Sequence, residues 1–489
     1  MRIALVSPKW NRKANDYPPL GLAYLAAVLA EDGHQLEIFD FGLDPDSPLE
    51  EDVQRVCHFE PHVVGITAMT MVYHKVLDTA ALLKARLGRP IVIGGPHATL
   101  FPERVLLEAP AIDYVVRGEG EETLLELVHA VEGRNGELGD IPGLSYRLHG
   151  QPVSNPDREL IRNLDALPFP ARHLFDLGRY GLSTPDGRPM ITVLSSRGCP
   201  YNCAYCFKGI VGRTYRPRSP ENIIAELRQI IDKYGVRDFY FIDDLFTLDE
   251  RRLDALTDQL ITEALDARWQ CLARVDRVNA AILNKMQAAG CRRIHYGIES
   301  GNQEILRRIG KGFSLEQVRQ ALRWTHEAGI QSKGYFMLGL PGDSEQTMRE
   351  TTHFAASLGL DEAMFSLTTP FPGTRLWEEL VRKRPDTQYT LDFSRAYYYG
   401  KPEEEVVPFL NVSEVSDAVL TRWMGKARHT FDQSKARRLY MKAFGPRLGR
   451  VLWRVSRFDP LRALARRMLR LGLFRRFASL RAGMARTWS

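Results

Sequence analysis

Residues 195–209 read SSRGCPYNCAYCFKG, which sets Cys199, Cys203 and Cys206 in a Cys-x3-Cys-x2-Cys spacing. Three thiolates on one short loop suit iron–sulfur or zinc chemistry. A structural zinc site takes a fourth protein ligand, usually from a second Cys-x-x-Cys or a His pair. Cys271 and Cys291 do not form such a pair with each other, and no histidine lies inside the loop. Three ligands on a four-iron cluster instead leave one iron open to a substrate or cofactor. Six cysteines in 489 residues do not make a disulfide scaffold and suit a reducing cytosol.

The CxxxCxxC run, with the aromatic Tyr205 before its last cysteine, resembles the radical S-adenosylmethionine (SAM) superfamily. The resemblance implies that the open iron chelates SAM, and that an electron from the cluster cleaves SAM to a 5′-deoxyadenosyl radical. The downstream text fits. Segments 190–197, 238–246, 269–276, 292–312, 333–348 and 364–378 each open on an apolar run, and helical patterns lie between them. Six such units predict a partial (βα)6 barrel with its chemistry at the carboxyl ends of the strands. There stand Asp243 and Asp244, Arg274, Glu299 and Ser300. An Arg fork suits the SAM carboxylate. Glu299 and Ser300 suit the ribose hydroxyls or the ammonium, and Asp243 and Asp244 suit the ammonium or a substrate. Tyr205 completes the expected SAM set. Lys311 either neutralises SAM or substrate or ends a solvated helix. No residue is singled out as a general acid or base.

The first 135 residues alternate short apolar runs (2–8, 35–40, 62–68, 89–95, 113–118) with helical patterns near 18–29, 50–57, 72–86 and 120–132. This predicts a flavodoxin-like, doubly wound parallel sheet, which binds ligands outside the carboxyl ends of its strands. The loops at those ends carry Thr67, Gly94-Gly95-Pro96-His97 and Gly118-Glu119-Gly120. No G-x-G-x-x-G follows the first strand, so a dinucleotide site is not expected. His97 is a loop histidine or a metal ligand.

A flavodoxin-like domain followed by a radical SAM barrel is similar to the cobalamin-binding radical SAM class of porphyrin cyclases, hopanoid-modifying enzymes and methylases of unactivated carbon. YPPLGLAYLAAVL, GGPHAT and RGEGE carry that resemblance in the first domain. It implies cobalamin at Thr67, Gly94, Gly95, His97, Gly118, Glu119 and Gly120, a 4Fe-4S cluster on Cys199, Cys203 and Cys206, and an electron donor such as a flavodoxin or ferredoxin. One departure stands out. Asp32-Gly33-His34 does not extend to the Asp-x-His-x-x-Gly motif that supplies a lower cobalt ligand. The implied reaction is C-methylation of a lipophilic or secondary-metabolite substrate. The alternative is oxidative cyclisation or rearrangement of a tetrapyrrole- or isoprenoid-like one. A binding protein without turnover fits the strand-end residues less well.

The expected organisation is 1–135 for the first domain, 136–188 for a linker with a hairpin, 189–395 for the barrel and 396–489 for a helical region with a basic tail. The net charge of +6 is unevenly spread. Between 435 and 486 sixteen basic residues face one acid, Asp459. Leu461, Leu464, Met468 and Leu471 sit at helical spacing after Pro460, with Trp453, Phe474 and Phe477 nearby. Such a helix suits an anionic membrane face or packing on a partner. Nothing resembles a nucleic-acid module. No apolar run reaches the ~18 residues of a membrane span. The opening MRIALVSPKWNRKAND suits a first strand better than a signal peptide. A cytoplasmic protein, with peripheral contact at the inner membrane face as an option, is the expectation.

Overall fold

Apolar residues in the first 120 positions come in short runs whose alternate members face opposite ways, and these runs become strands. The computed structural model of the chain describes residues 1–10, 17–134, 136–387, 392–396 and 406–456. Two compact units emerge. One gathers Met1–Leu272, Ala288–Cys291 and the segment from Pro370; the other gathers Ala273–Gln287 and Arg292–Thr369 with the C-terminal helices.

In the first unit, β1 (Arg2–Ser7), β2 (Gln35–Asp40), β3 (Val63–Thr67), β4 (Ile91–Gly94) and β5 (Tyr114–Val116) form a parallel sheet in the order β2-β1-β3-β4-β5. Ala4, Val6, Val64, Ile66, Ile91, Ile93 and Val115 face one core, shared with α2 (Leu49–His58), α3 (Tyr73–Leu87) and α5 (Pro102–Glu108). Ile3, Leu5, Val63, Val92 and Val116 face a second core, built with α1 (Leu20–Glu31) and α6 (Glu121–Val131). The period of two along each strand thus builds both layers.

The hairpin expected in the connecting segment joins this sheet. Strands β6 (Leu144–Leu148) and β7 (Gln151–Ser154) extend it antiparallel beyond β5. The Arg147 guanidinium fixes the hairpin by donating to the carbonyls of Leu106 (2.9 Å), Ala109 (2.8 Å) and Ile112 (2.5 Å).

The same unit holds β8 (Met190–Val193), β11 (Asp238–Phe241) and β12 (Arg268–Ala273), which pair in parallel. The two-residue strands β9 (Ser196–Arg197) and β10 (Arg216–Pro217) pair antiparallel. Helices α7 (Pro220–Tyr234) and α8 (Glu250–Thr262) follow β10 and β11. Glu226 of α7 is fully buried and pairs with Arg172 of the connecting segment (2.6 Å) and with Arg218. Burial alone would raise the Glu226 pKa, but the two guanidinium groups hold it below its ordinary value. Arg172 also donates to the carbonyl of Thr192 (2.8 Å) and so ties the connecting segment to β8.

The second unit holds three parallel strands, β13 (Cys291–Glu299, chiefly in this unit), β14 (Gln331–Leu338) and β15 (Glu362–Leu367), with α11 (Leu315–Glu327) and α12 (Glu345–Ser357). Ile294, Tyr296 and Ile298 of β13 are fully buried, and the Tyr296 hydroxyl lies 2.8 Å from Thr325 of α11. The 28-residue helix Asp417–Phe444 packs on α12 and β15 through Leu420, Trp423, Met424, Ala427 and Phe431. A last described helix, Pro446–Val455, follows it. The helix expected after Pro460, with Leu461, Leu464, Met468, Leu471, Phe474 and Phe477, lies outside the described residues. Among the described residues no helix is long and apolar enough to cross a membrane.

Glu226→Ala would leave two guanidinium groups in the interior without their carboxylate. The expected cost is roughly 3–5 kcal/mol, read as a fall in the urea midpoint of the full-length chain.

Candidate active site

The cysteine loop hangs between β9 and β10, and its anchors are buried charges. Arg197 of β9 donates to Glu119 (2.8 Å) and to Glu121 (2.6 Å). Arg216 of β10 donates to the same Glu119 carboxylate (2.7 and 3.0 Å), and the Ile161 N–H adds a bond of 2.9 Å. All four charged groups are buried. Burial opposes ionisation of Glu119, but its hydrogen bonds and the two arginines hold its pKa below the usual range. The arginines are separated from Glu119 by 78 and 97 residues, so no local pattern pairs them. The nearest signal is Arg197 standing two places before Cys199.

A second clamp holds the residues just before the loop. Fully buried Asp243, at the end of β11, accepts from the Ser195 N–H (2.6 Å), the Ser196 N–H (3.1 Å) and the Ser195 hydroxyl. Burial raises its pKa. Arg252 of α8 donates to the Ser195 carbonyl (2.9 Å) and hydroxyl (2.6 Å). Asp243, expected at SAM or substrate, therefore spends its carboxylate on the backbone that leads into the cysteines. Asp244 lies 3.3 Å from Lys208. Gly198 precedes Cys199 at φ +81°, and a Cβ there would lie 2.2 Å from the Thr214 carbonyl oxygen. Only glycine makes this turn without displacing the backbone at Thr214.

Within the loop Cys199 is buried and Cys203 and Cys206 are half-buried. A turn closes from the Cys206 N–H to the Cys203 carbonyl (3.1 Å). Half-buried Tyr205 lies inside this turn. The Leu376 N–H, at the start of α13 (Arg375–Lys383), donates to the Ala204 carbonyl (2.9 Å) and backs the loop.

At the carboxyl ends of β1, β3, β4 and β5 lies an apolar cavity of about 330 Å³. Thr67, Gly94, Gly95, Gly118, Glu119 and Gly120 line it, so six of the seven residues expected at cobalamin meet there. Leu194, Arg197, Ile210, Val211 and Ile242 line its other side, next to the cysteine loop. Gly95, at φ +97°, lets the backbone pass Ala68, whose carbonyl oxygen would lie 3.1 Å from an added Cβ. His97 does not line the cavity. Its buried ring stacks on Tyr73 (3.8 Å between centroids) and nears Phe101 (5.1 Å); burial pushes its pKa down to about 3. Asp32-Gly33-His34 precedes β2, at the amino edge of the sheet and away from this cavity.

The second unit gathers the other expected residues. Arg274 grips Asp276 through two bonds (2.9 and 3.0 Å) and donates to the Lys311 carbonyl. The Lys311 ammonium pairs with Glu299 (3.0 Å) and donates to the Gly297 carbonyl (3.0 Å). Glu299 sits at φ +70°, beside an irregularity in the pairing of β13 with β14. That left-handed geometry is costly for a glutamate and is over-determined by its surroundings. The Ser300 hydroxyl lies 3.1 Å from Thr351 and accepts from the Asn302 N–H (3.1 Å).

Comparison with known proteins decides the family. The Radical SAM superfamily model matches residues 193–355 and the B12 binding domain model matches residues 12–128. The uncharacterized methyltransferase PH0819 of Pyrococcus horikoshii is 38% identical over 367 residues, spanning 74% of this chain and 78% of that protein. This chain is a cobalamin-binding radical SAM enzyme. The enzyme is also 27% identical over 460 residues to the anaerobic magnesium-protoporphyrin IX monomethyl ester cyclase of Rubrivivax gelatinosus, spanning 90% of this chain and 81% of the cyclase. The solved structure of OxsB, a cobalamin-dependent S-adenosylmethionine radical enzyme, shares its fold with a TM-score of 0.69, 18% identity, 90% of this chain and 66% of that one. The radical SAM enzyme thus has a B12-type doubly wound domain, a radical SAM domain and C-terminal helices, and its cofactors are a 4Fe-4S cluster, SAM and cobalamin.

The Glu119 carboxylate titrates lower folded than unfolded. Its stabilisation is full above the ordinary glutamate pKa of about 4.3 and is lost as pH falls through the lower folded value. In Glu119→Gln this part of the acid limb is absent. Melting temperature followed downward from about pH 6 should therefore fall less steeply in the variant.

Proposed function

We propose that Cys199, Cys203 and Cys206 ligate the cluster and that Thr67, Gly94, Gly95, Gly118, Glu119 and Gly120 form the floor of the cobalamin site. The observation that carries this reading is the shared apolar cavity, glycine-lined on one side and flanked by the cysteine loop on the other. Its volume suits an apolar portion of cobalamin rather than the whole corrin. His97 has no part in this reading, and no histidine is assigned below cobalt. Lys208, near Cys206 and Asp244, supplies positive charge beside the thiolates. Tyr205, Arg274, Glu299 and Ser300 bind SAM, with Lys311 holding Glu299. Asp243 is a positioning residue that acts through Ser195 and Ser196.

With its cofactors bound, the site supplies a 5′-deoxyadenosyl radical and a transferable methyl group. This chain's residues hold the groups and keep water from the apolar cavity. The reaction we assign is C-methylation of an unactivated carbon in a lipophilic or secondary-metabolite substrate, with electrons from a flavodoxin or ferredoxin. The methyltransferase name of PH0819 supports it. Cyclisation is the second reading, favoured by the cyclase match over 90% of this chain.

We also propose peripheral contact with an anionic membrane. Helix Pro446–Val455 exposes Leu448 (55%), Val451 (56%) and Val455 (39%) at helical spacing, with Arg447, Arg450 and Arg454 interleaved. Apolar burial and basic charge together suit an interfacial helix.

In anaerobically reconstituted protein we expect about four irons per chain, bound corrinoid and 5′-deoxyadenosine from SAM. Cys203→Ala should lose the iron and the cleavage. Gly94→Leu, which grows a side chain at the cavity, should lose corrinoid and keep iron. Product mass then separates the readings: a gain of one CH2 means methylation, and loss of hydrogen or gain of oxygen means cyclase chemistry. For the membrane reading, the protein should sediment with phosphatidylglycerol vesicles and stay in solution with phosphatidylcholine. Val451→Asp should abolish the sedimentation, and equal recovery from both vesicles would overturn it.

A further inference from the structure

The Asp32-Gly33-His34 segment, which has no role at cobalamin, meets His129 at the opposite edge of the first sheet. Asp32 caps α1, His34 precedes β2, and His129 lies in the last turn of α6. One oxygen of Asp32 lies 2.7 Å from His129 Nε2 and 3.1 Å from His34 Nε2. Potential ligand atoms of all three residues lie within 4.8 Å of one another. The His34 side chain is wholly buried, yet its Nε2 makes no aligned hydrogen bond. A buried imidazole nitrogen aimed at a carboxylate and a second imidazole, and satisfied by neither, is what a missing shared partner leaves behind.

We propose that Asp32, His34 and His129 bind a divalent transition-metal ion of the zinc class. Two imidazoles and one carboxylate suit zinc and its neighbours and disfavour magnesium and calcium, which take oxygen ligands. Bonds of about 2.0–2.2 Å require only small rotations of three side chains already converging. Other charged groups face the site. Glu132 lies 3.8 Å from His34 Nδ1, a charge contact longer than a hydrogen bond. The Met1 ammonium lies 3.0 Å from the same Nδ1 and 3.3 Å from Glu132. Arg134 pairs with Asp32 (3.1 Å) and Glu132 (2.6 Å). The two cations are matched by the two carboxylates. Arg134 is half exposed and can turn to solvent when the ion takes Asp32. The fourth position would face water. A bound ion would clip the end of α1, the start of β2 and the end of α6.

The test uses the full-length protein with cluster and cobalamin loaded, so that the cysteines are occupied. It is stripped with a mild chelator and titrated anaerobically with zinc chloride in a calorimeter, with zinc counted by mass spectrometry. One zinc per chain is expected, with affinity lowered at least about tenfold in His129→Ala and in Asp32→Asn. Both positions are partly exposed, and 5′-deoxyadenosine formation should be unchanged in both. Zinc should raise the melting temperature of the parent protein and not of the variants. No zinc uptake by the parent, or equal uptake by parent and variants, would overturn the site.

Discussion

The architecture of the first unit turns on one carboxylate. Glu119 leaves the glycine-rich loop after β5 and is gripped by Arg197 and Arg216, the two strands that bracket the cysteine loop. A buried charge of this kind is tolerable only when every neighbour is in place. The interaction therefore fixes more than a distance. It sets the cavity floor, the arginine wall and the entry to the cysteines relative to one another in one step. Tyr24 of α1, with Arg197 above its ring at 5.3 Å, brings the helix that lines the cavity into the same assembly.

A similar logic governs the second unit. Arg274, Asp276, Lys311, Glu299 and the Gly297 carbonyl form one chain of charge-assisted contacts around a strained strand end. Such contacts in a dry setting are strong and directional. They hold Glu299 in a backbone conformation it would not choose. In both units, then, ionic pairs at strand ends do the positioning while the apolar layers behind them supply the stability.

Much of this was legible in the residues. The five parallel strands of the first sheet fall within the apolar runs, because buried parallel strands need both faces apolar. The glycine-rich strand ends converge, as the topology of a parallel sheet requires. The fates of individual polar groups were not legible. That Glu119, expected at cobalamin, also takes two arginines, and that Asp243 takes a serine backbone, does not show in the residues, since a strand-end carboxylate looks the same whatever it meets. The partner that decides is far away in sequence. The hairpin at 144–154 reads as a hairpin, but its addition to the sheet edge depends on Arg147 finding three carbonyls on another segment. His97, which the Gly-Gly-Pro context offers as a loop histidine or a ligand, is a buried ring stacked on Tyr73, a contact no local pattern foretells.

The Glu119 clamp also bears on how such a protein can be recombined. Two domains that meet through a smooth apolar face can be exchanged like beads, because mismatched surfaces only pack less well. Here an acid from one partner is neutralised by bases from the other, in the dry interior. A foreign first domain grafted without Glu119 and Glu121 would leave two unmatched arginines beside the cysteines. A functional chimera therefore has to carry both acids and both arginines across the junction together.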